Sequence, residues 1–250
     1  MNYLDELIKT VKILRSPEGC PWDREQTHAT IRKNMLEEAY EAVEAIDENN
    51  PEHLKEELGD VLLQVLLHSQ IADDCHEFNI QDVAKMLNEK LIHRHPHVFS
   101  NANVKNSSDV VVNWEKLKKE EKKDRTRTLD GIPKTLPALA VAEKISKRVV
   151  QKGFEWKTID DVYECLFSEI EEFKQAKTQE DKILELGDVL FSIVNLARWE
   201  KIDPEMALAK ANIKFIKRFN KLEEIANKPV EELNYEEYDF LWKQAKKIVD

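Results

Sequence analysis

The hexapeptide Glu57-Leu-Gly-Asp-Val-Leu62 occurs twice, because Glu185-Leu-Gly-Asp-Val-Leu190 repeats it letter for letter. An acidic segment precedes each copy, Leu36–Glu41 in the first half and Phe167–Glu172 in the second. Two further pairs of matching segments follow the hexapeptides in the same order: Lys90–Arg94 with Lys214–Arg218, and Asn113–Lys119 with Leu241–Lys247. Four matches in one order indicate that the chain consists of two related units.

Apolar residues around the first hexapeptide recur at helical spacing, as in Leu58, Val61, Leu62, Val65 and Leu66. The alternation typical of a strand is nowhere sustained. Only 5 of the 250 residues are glycine, which disfavours a sheet protein, and neither GxxxxGK nor GxGxxG occurs. All eight prolines lie in or beside gaps between helical patterns. We therefore predict an all-α chain of two tandem repeats of the four-helix-bundle type, with about five helices in each half.

The repeats and the prolines also suggest domain limits. We predict an N-terminal repeat over 1–125, a linker over 126–136 and a C-terminal repeat over 137–250. The charged segment Lys116–Arg127 is interpreted as a solvated helix end that leads into the linker. A nucleic-acid patch is the alternative, but its interleaved acids and lack of aromatic residues disfavour it.

Composition excludes several classes of protein. The formal net charge is −11, which argues against a general nucleic-acid binder. Three scattered cysteines without a CxxC motif disfavour a disulfide framework or a zinc knuckle and fit a reducing cytoplasm. The first fifteen residues are typical of an amphipathic helix rather than a signal peptide. The longest apolar stretch, Val61–Leu67, is interrupted by Gln64 and is far shorter than the ~18 residues of a membrane span. We expect a cytoplasmic protein that binds neither nucleic acid nor membrane.

Pairs of carboxylates are the strongest chemical signal. Glu38 and Glu41 are three residues apart and share one helix face, as do Glu57 and Asp60. If these two helices pack antiparallel through Gly59, which permits close approach, the four carboxylates converge. Such a cluster is costly unless a cation binds it, and oxygen ligands suit Mg²⁺ or Mn²⁺. Carboxylates at this spacing are also common on solvated helices, but here they border apolar runs and the arrangement occurs twice.

The second half offers the equivalent carboxylates Glu169, Glu172, Glu185 and Asp188. Three cations, Lys214, Lys217 and Arg218, follow this set, and cations near a carboxylate-bound metal are what a polyphosphate requires. The alternative is an ordinary exposed face of a helix whose apolar residues face inward, namely Ile213, Phe215, Ile216 and Phe219. Trp114 and Trp242 are more typical of a core than of base stacking.

Two histidine-containing motifs point less clearly to metal. His93, His95 and His97 are close in sequence, but Pro96 breaks the local geometry and the second half has no counterpart. We favour a structural or interface role for them. Glu25-Gln-Thr-His28 is a single ExxH motif, whereas a di-iron bundle needs two on facing helices.

The acidic pattern EExxE followed by ExxD resembles that of the MazG family of all-α nucleoside triphosphate pyrophosphohydrolases, in its two-repeat form. Further segments similar to the family cover nearly the whole chain: Leu14–His28, His93–Phe99, Leu129–Leu139, Lys152–Trp156 and Glu185–Arg198. One position departs from the pattern, because Ser168 stands where the second EExxE has its first acid.

The resemblance implies hydrolysis of NTPs and dNTPs to nucleoside monophosphates and pyrophosphate. It implies Mg²⁺, with Mn²⁺ as a substitute, on Glu169, Glu172, Glu185 and Asp188. The substrate would be bound by Ser168, Lys214, Lys217, Arg218 and Trp242. A homodimer is expected, with catalysis in the C-terminal repeat and assembly as the role of the N-terminal repeat, whose equivalent metal site is Glu38, Glu41, Glu57 and Asp60. The alternatives are a selective house-cleaning hydrolase of dUTP, dCTP or damaged nucleotides, and a non-catalytic helical regulator linked to a toxin–antitoxin system.

Overall fold

The computed structural model describes residues 2–101, 103–121 and 127–250. The chain divides into two compact units, Met1–Lys122 and Lys123–Asp250. The predicted boundary at residue 125 and the first linker residue, 126, lie outside the described residues. Residues 127–137 contain turns and no helix.

The described part of the chain contains twelve α-helices and no strand, which confirms the predicted all-α class. The first unit contains seven: α1 (Tyr3–Leu14), α2 (Pro21–Glu25), α3 (Arg32–Asp47), α4 (Pro51–Asp74), α5 (Ile80–Arg94), α6 (Pro96–Phe99) and α7 (Ser107–Glu121). The second contains five, with a short 3₁₀ turn at Val230–Glu232 before the last: α8 (Ala138–Val150), α9 (Ile159–Gln175), α10 (Gln179–Trp199), α11 (Pro204–Ile225) and α12 (Tyr235–Val249).

The prediction of about five helices is therefore too low for the first unit. Two prolines that were placed in or beside gaps between helices begin short helices, since Pro21 opens α2 and Pro96 opens α6. Proline suits the first turn of a helix because the N–H that it lacks would have no partner inside the helix there. Pro51 and Pro204 open the longer helices α4 and α11 for the same reason.

Two helical hairpins form the centre of the units. Helix α3 packs on α4 and helix α9 packs on α10, each pair joined by a connection of three residues. The first turn uses Asn49 in the left-handed region at φ 54°, followed by Asn50, whose side chain accepts from the N–H groups of Glu52 and His53. In the second turn, Thr178 and Asp181 form a reciprocal capping box. Both turns fix where the long helices α4 and α10 begin.

Each unit has its own small core. Val11, Ile31, Leu66, Leu67 and Ile71 form the buried cluster of the first unit, and Leu222, Leu233 and Ala245 form that of the second. Many large apolar side chains remain exposed on α3, α4, α9, α10 and α11. A single chain thus leaves a substantial apolar surface in contact with water.

Two statements about packing do not hold in the single chain. The alternative interpretation of α11 required inward-facing apolar residues, but Ile213, Phe215 and Ile216 are exposed and Phe219 is only partly buried; the helix buries Leu222 further along. The Gly59 prediction also fails, since a Cβ added at Gly59 would meet nothing within 4 Å. Helices α3 and α4 pack on each other through other side chains.

Two segments singled out in the sequence, Leu14–His28 and Lys152–Trp156, are held in place by arginines whose side chains are largely buried. Arg15 donates to the carbonyls of Asp23 and Gln26 and pairs with Asp74 at 2.8 Å, which ties the loop after α1 to the end of α4. Within that loop, a Cβ at Gly19 would lie 2.2 Å from the Ile13 carbonyl oxygen.

In the second unit, Arg198 Nε donates to Ser146 Oγ at 2.7 Å, and Arg198 Nη1 lies 2.7 Å from Glu155 Oε2. These contacts join α8, α10 and the segment Lys152–Trp156. Both arginines, Arg15 and Arg198, therefore have structural roles.

A membrane-spanning helix would have to be longer and more apolar than any helix among the described residues.

Candidate active site

The α9–α10 hairpin brings three of the four predicted carboxylates of the second repeat together. Glu169 and Glu172 lie one turn apart on α9, and Glu185 faces them from α10. One oxygen of each lies within 4.8 Å of the others. Burial raises the pKa of Glu169, and the charges of Glu172, Asp188 and Glu185 raise it further. Asp188 therefore lies close enough to repel Glu169, although it is outside the closest group of three.

This donor set fits a hard divalent cation. Carboxylate oxygens are the ligands that Mg²⁺ and Mn²⁺ prefer. Beyond the effect of burial, the neighbouring carboxylates raise the pKa of Glu169, so the acids of the cluster repel one another. A bound cation would supply that balance.

Ser168, the departure from the acidic pattern, contacts this cluster directly. Its hydroxyl donates to Glu172 Oε1 at 3.0 Å. The hydrogen bond fixes the rotamer of a carboxylate in the cluster, and it does so without adding a negative charge. Ser168 therefore acts on the cluster by orienting the Glu172 carboxylate.

The first repeat forms a similar cluster with different neighbours. Oxygens of Glu38, Glu41 and Glu57 lie within 4.8 Å of one another, and burial, followed by the charge of Asp60, raises the pKa of Glu38. Glu57 has an internal partner, since His53 Nε2 lies 3.1 Å from its Oε1. Buried Gln64 donates to Glu38 at 3.5 Å. At the position that corresponds to His53, the second repeat has Asp181, which caps α10. At the position that corresponds to Gln64, it has Ser192.

The predicted phosphate-binding residues lie on α11 and α12. Arg218 donates to Asp250, with Nε 3.1 Å from Oδ1 and a second, shorter bond from Nη2 to Oδ2. The pKa of Asp250 is lowered by this hydrogen bond and by the charges of Arg218, Lys214 and Lys246. We call Lys214, Arg218 and Lys246 the cationic cluster. Lys217 lies on α11, as Lys214 and Arg218 do, and it is exposed.

Trp242 borders the cationic cluster. Its ring packs against Phe215 with centroids 5.1 Å apart, and Lys246 Nζ lies 5.7 Å from the ring centroid. The tryptophan also packs on the core of the second unit, as the preference for a core role suggested. Sequence reasoning missed Lys246 and Asp250 as neighbours of Arg218. The repeated segment that ends at Lys247 was the available signal for Lys246, and no motif pointed to Asp250.

The equivalent arginine of the first repeat is held more tightly. Arg94 Nε lies 3.0 and 3.1 Å from the two oxygens of Glu121, and the guanidinium lies 5.1 Å from the Trp114 ring centroid. His93 Nε2 is 3.9 Å from the same carboxylate. Arg94 is buried. Its guanidinium is thus committed to contacts within the protein.

The histidines of the two sequence motifs are not members of the carboxylate clusters. His95 donates from Nδ1 to the Leu91 carbonyl at 2.7 Å and packs edge-on against Trp114. Nδ1 of His28, the ExxH histidine, lies 2.7 Å from Nδ1 of His68, and the two rings are stacked. Among the described residues, the groups that could hold a metal are the two glutamate clusters.

Comparison with known proteins agrees with this geometry. Residues 26–99 match the family model of the MazG nucleotide pyrophosphohydrolase domain. The chain is 47% identical over 246 residues to the nucleoside triphosphate pyrophosphohydrolase/pyrophosphatase MazG of Thermotoga maritima, covering 97% of this chain and 95% of that protein. It is 41% identical over 258 residues to the nucleoside triphosphate pyrophosphohydrolase of Escherichia coli K12, covering 99% and 98%. It is 46% identical over 244 residues to the uncharacterized protein YabN of Bacillus subtilis, covering 94% of this chain and 50% of YabN. The chain belongs to the MazG family of nucleotide pyrophosphohydrolases.

Proposed function

We propose that this protein hydrolyses nucleoside triphosphates, NTPs and dNTPs alike, to nucleoside monophosphates and pyrophosphate. The observation that carries the proposal is the convergence of Glu169, Glu172 and Glu185 within 4.8 Å. The names of the Thermotoga and Escherichia relatives support the reaction class.

The carboxylates have a defined role in this reaction. Glu169, Glu172, Glu185 and Asp188 would hold Mg²⁺, for which Mn²⁺ is an expected substitute. When bound, the ion supplies Lewis-acid polarisation of phosphate oxygens and neutralises their charge. Ser168 holds the Glu172 carboxylate in place. The second repeat is the proposed catalytic one.

The cationic side chains bind the phosphates. Lys214, Lys217 and Arg218 offer charge-assisted hydrogen bonds to the triphosphate, which position it for attack by water. Trp242, which is partly buried, would pack on the nucleoside. In the first repeat, Arg94 is paired with Glu121 and is buried, and Glu57 is paired with His53. Because Arg94 is less accessible than Arg218 and Glu57 already has a partner, we assign the first repeat to assembly.

The exposed apolar surface supports a homodimer. Leu36, Tyr40 and Val43 on α3 and Ile183, Leu186 and Leu190 on α10 are exposed in the single chain. Burying such helix faces against a second copy would remove them from water.

A panel of four ribonucleotides and four deoxyribonucleotides tests the proposal. Pyrophosphate and orthophosphate are measured separately, with and without Mg²⁺. Pyrophosphate as the first product from most of the panel supports the proposal. Activity confined to dUTP, dCTP or a damaged nucleotide would favour the selective house-cleaning hydrolase, and no product from any nucleotide would favour the non-catalytic regulator.

A second candidate activity is hydrolysis of pyrophosphate itself, because the name of the Thermotoga relative includes pyrophosphatase. The same carboxylate cluster would bind both phosphoanhydrides. Orthophosphate that appears from added pyrophosphate, and is lost together with NTP hydrolysis in Glu185→Gln, supports one shared site.

A further inference from the structure

We propose that Asp250 is an internal competitor of the substrate, whose carboxylate occupies the cationic cluster of Lys214, Arg218 and Lys246 until substrate phosphate displaces it. The inference rests on the proposed function in one respect, that Arg218 binds substrate phosphate. It adds that an acid of the protein competes for the same guanidinium.

The geometry of the pair is that of a bound anion. Arg218 donates from two nitrogens to the two oxygens of Asp250, with Nε to Oδ1 at 3.1 Å. Arginine binds carboxylate and phosphate with this same two-pronged arrangement. The Asp250 carboxylate therefore satisfies the donors that two oxygens of a phosphate would use.

The surrounding charge exceeds what Asp250 can balance. The charges of Lys214 and Lys246 lower the pKa of Asp250 together with that of Arg218, so three cations act on one carboxylate. A ligand with several negative charges gains more from this cluster than the single charge of Asp250 does. Displacement of Asp250 is therefore favourable for a triphosphate and much less so for a monophosphate.

The degree of exposure makes displacement feasible. The side chains of Arg218 and Asp250 are 16% and 46% exposed, whereas those of Arg94 and Glu121 in the first repeat are 9% and 27% exposed. Arg94 is additionally covered by Trp114. The pair in the second repeat can open towards solvent at a small cost, since exposed ion pairs are weak.

The competition has a consequence for turnover. After cleavage, the nucleoside monophosphate carries fewer charges than the substrate, and Asp250 can return to Arg218. The internal acid thus weakens retention of the monophosphate product, and it weakens binding of the triphosphate by the same factor.

The test compares wild type with Asp250→Asn and Asp250→Glu. Asp239→Asn is the matched control, because Asp239 is an exposed acid on the same helix that pairs with Lys243 at 2.5 Å. Circular dichroism establishes that each variant is folded. Calorimetry measures binding of inorganic tripolyphosphate and of AMP in the absence of metal, and steady-state hydrolysis gives KM and kcat for ATP with Mg²⁺.

We expect Asp250→Asn to bind AMP about threefold more tightly, as loss of one exposed ion-pair competitor implies. Its affinity for tripolyphosphate should rise by a similar factor, because both ligands displace the same carboxylate, and KM for ATP should fall with little change in kcat. Asp250→Glu keeps the competing charge and should show no such gain in anion affinity, and Asp239→Asn should resemble wild type.

A higher KM or weaker anion binding in Asp250→Asn would show that Asp250 anchors Arg218 instead of competing with phosphate. Unchanged affinities for both ligands would equally overturn the proposal. If no variant hydrolyses ATP, the proposed function fails, yet the binding measurements still decide the role of Asp250.

Discussion

Glu169→Gln removes one carboxylate from the cluster on α9 and α10, and we expect it to stabilise the metal-free protein. The reason is electrostatic. Glu169 is partly buried beside Glu172 and Glu185, with one oxygen of each within 4.8 Å. An amide of the same shape keeps the packing and eliminates the like-charge repulsion.

The magnitude follows from these distances. Two carboxylates 4.8 Å apart repel each other by about 0.9 kcal/mol in bulk water, and by several times more in a less polar environment. Repulsion from the two neighbours, Glu172 and Glu185, therefore destabilises the metal-free protein by at least about 2 kcal/mol. For a domain of this size, that corresponds to a rise in Tm of about 5 °C.

The pH dependence has a definite sign. The pKa of Glu169 is raised above its usual value of 4.5, so the folded protein binds this proton more readily than the unfolded chain does. The loss of stability caused by the charged Glu169 is therefore complete above the raised pKa and disappears below pH 4.5. The advantage of Glu169→Gln should be largest near neutral pH and shrink as the pH falls towards 4.5.

Thermal unfolding in EDTA and in Mg²⁺ measures both effects. Wild type should gain stability from Mg²⁺, since a ligand that binds only the folded state stabilises it, whereas Glu169→Gln should gain little. Glu171→Gln is the control, because Glu171 lies on the same helix but pairs with Lys174. A lower Tm for Glu169→Gln in EDTA, or a full response to Mg²⁺, would refute the electrostatic argument.

Three further predictions follow from the site and the fold. Glu185→Gln should abolish pyrophosphate release while Glu57→Gln keeps most of it; the opposite pattern would assign catalysis to the first repeat. Gly19→Ala should lower the free energy of unfolding by about 2 kcal/mol or more, because its Cβ would lie 2.2 Å from the Ile13 carbonyl oxygen, and an unchanged denaturant midpoint would contradict this. Light scattering at micromolar concentration should give twice the chain mass of 29.3 kDa, and a monomer mass would contradict the proposed dimer.

Local patterns predicted the helices and the carboxylate pairs well, because a spacing of three residues places Glu38 with Glu41, or Glu169 with Glu172, on one helix face. The repeated hexapeptide then indicated which helices face each other. The proximity of Glu57 and Glu185 to these pairs is a consequence of the short connections between the hairpin helices.

Long-range partners could not be predicted in this way. Asp250 lies 32 positions from Arg218, and no periodicity links the two. Gln64 lies 26 positions from its partner Glu38. His53 and Glu57 are only four positions apart, but whether they pair depends on their rotamers. Nor does an apolar helix face, such as that of Phe215, reveal whether the same chain or a second copy covers it.

The existence of two compact units, each with its own buried cluster, bears on the cooperativity of unfolding. Two-state behaviour is expected for small single domains, whereas a chain with separate cores can melt in steps. A substitution in α9 would then shift the transition of the second unit and leave that of the first in place. Resolving two calorimetric transitions would let each repeat report on its own ligands within the intact chain.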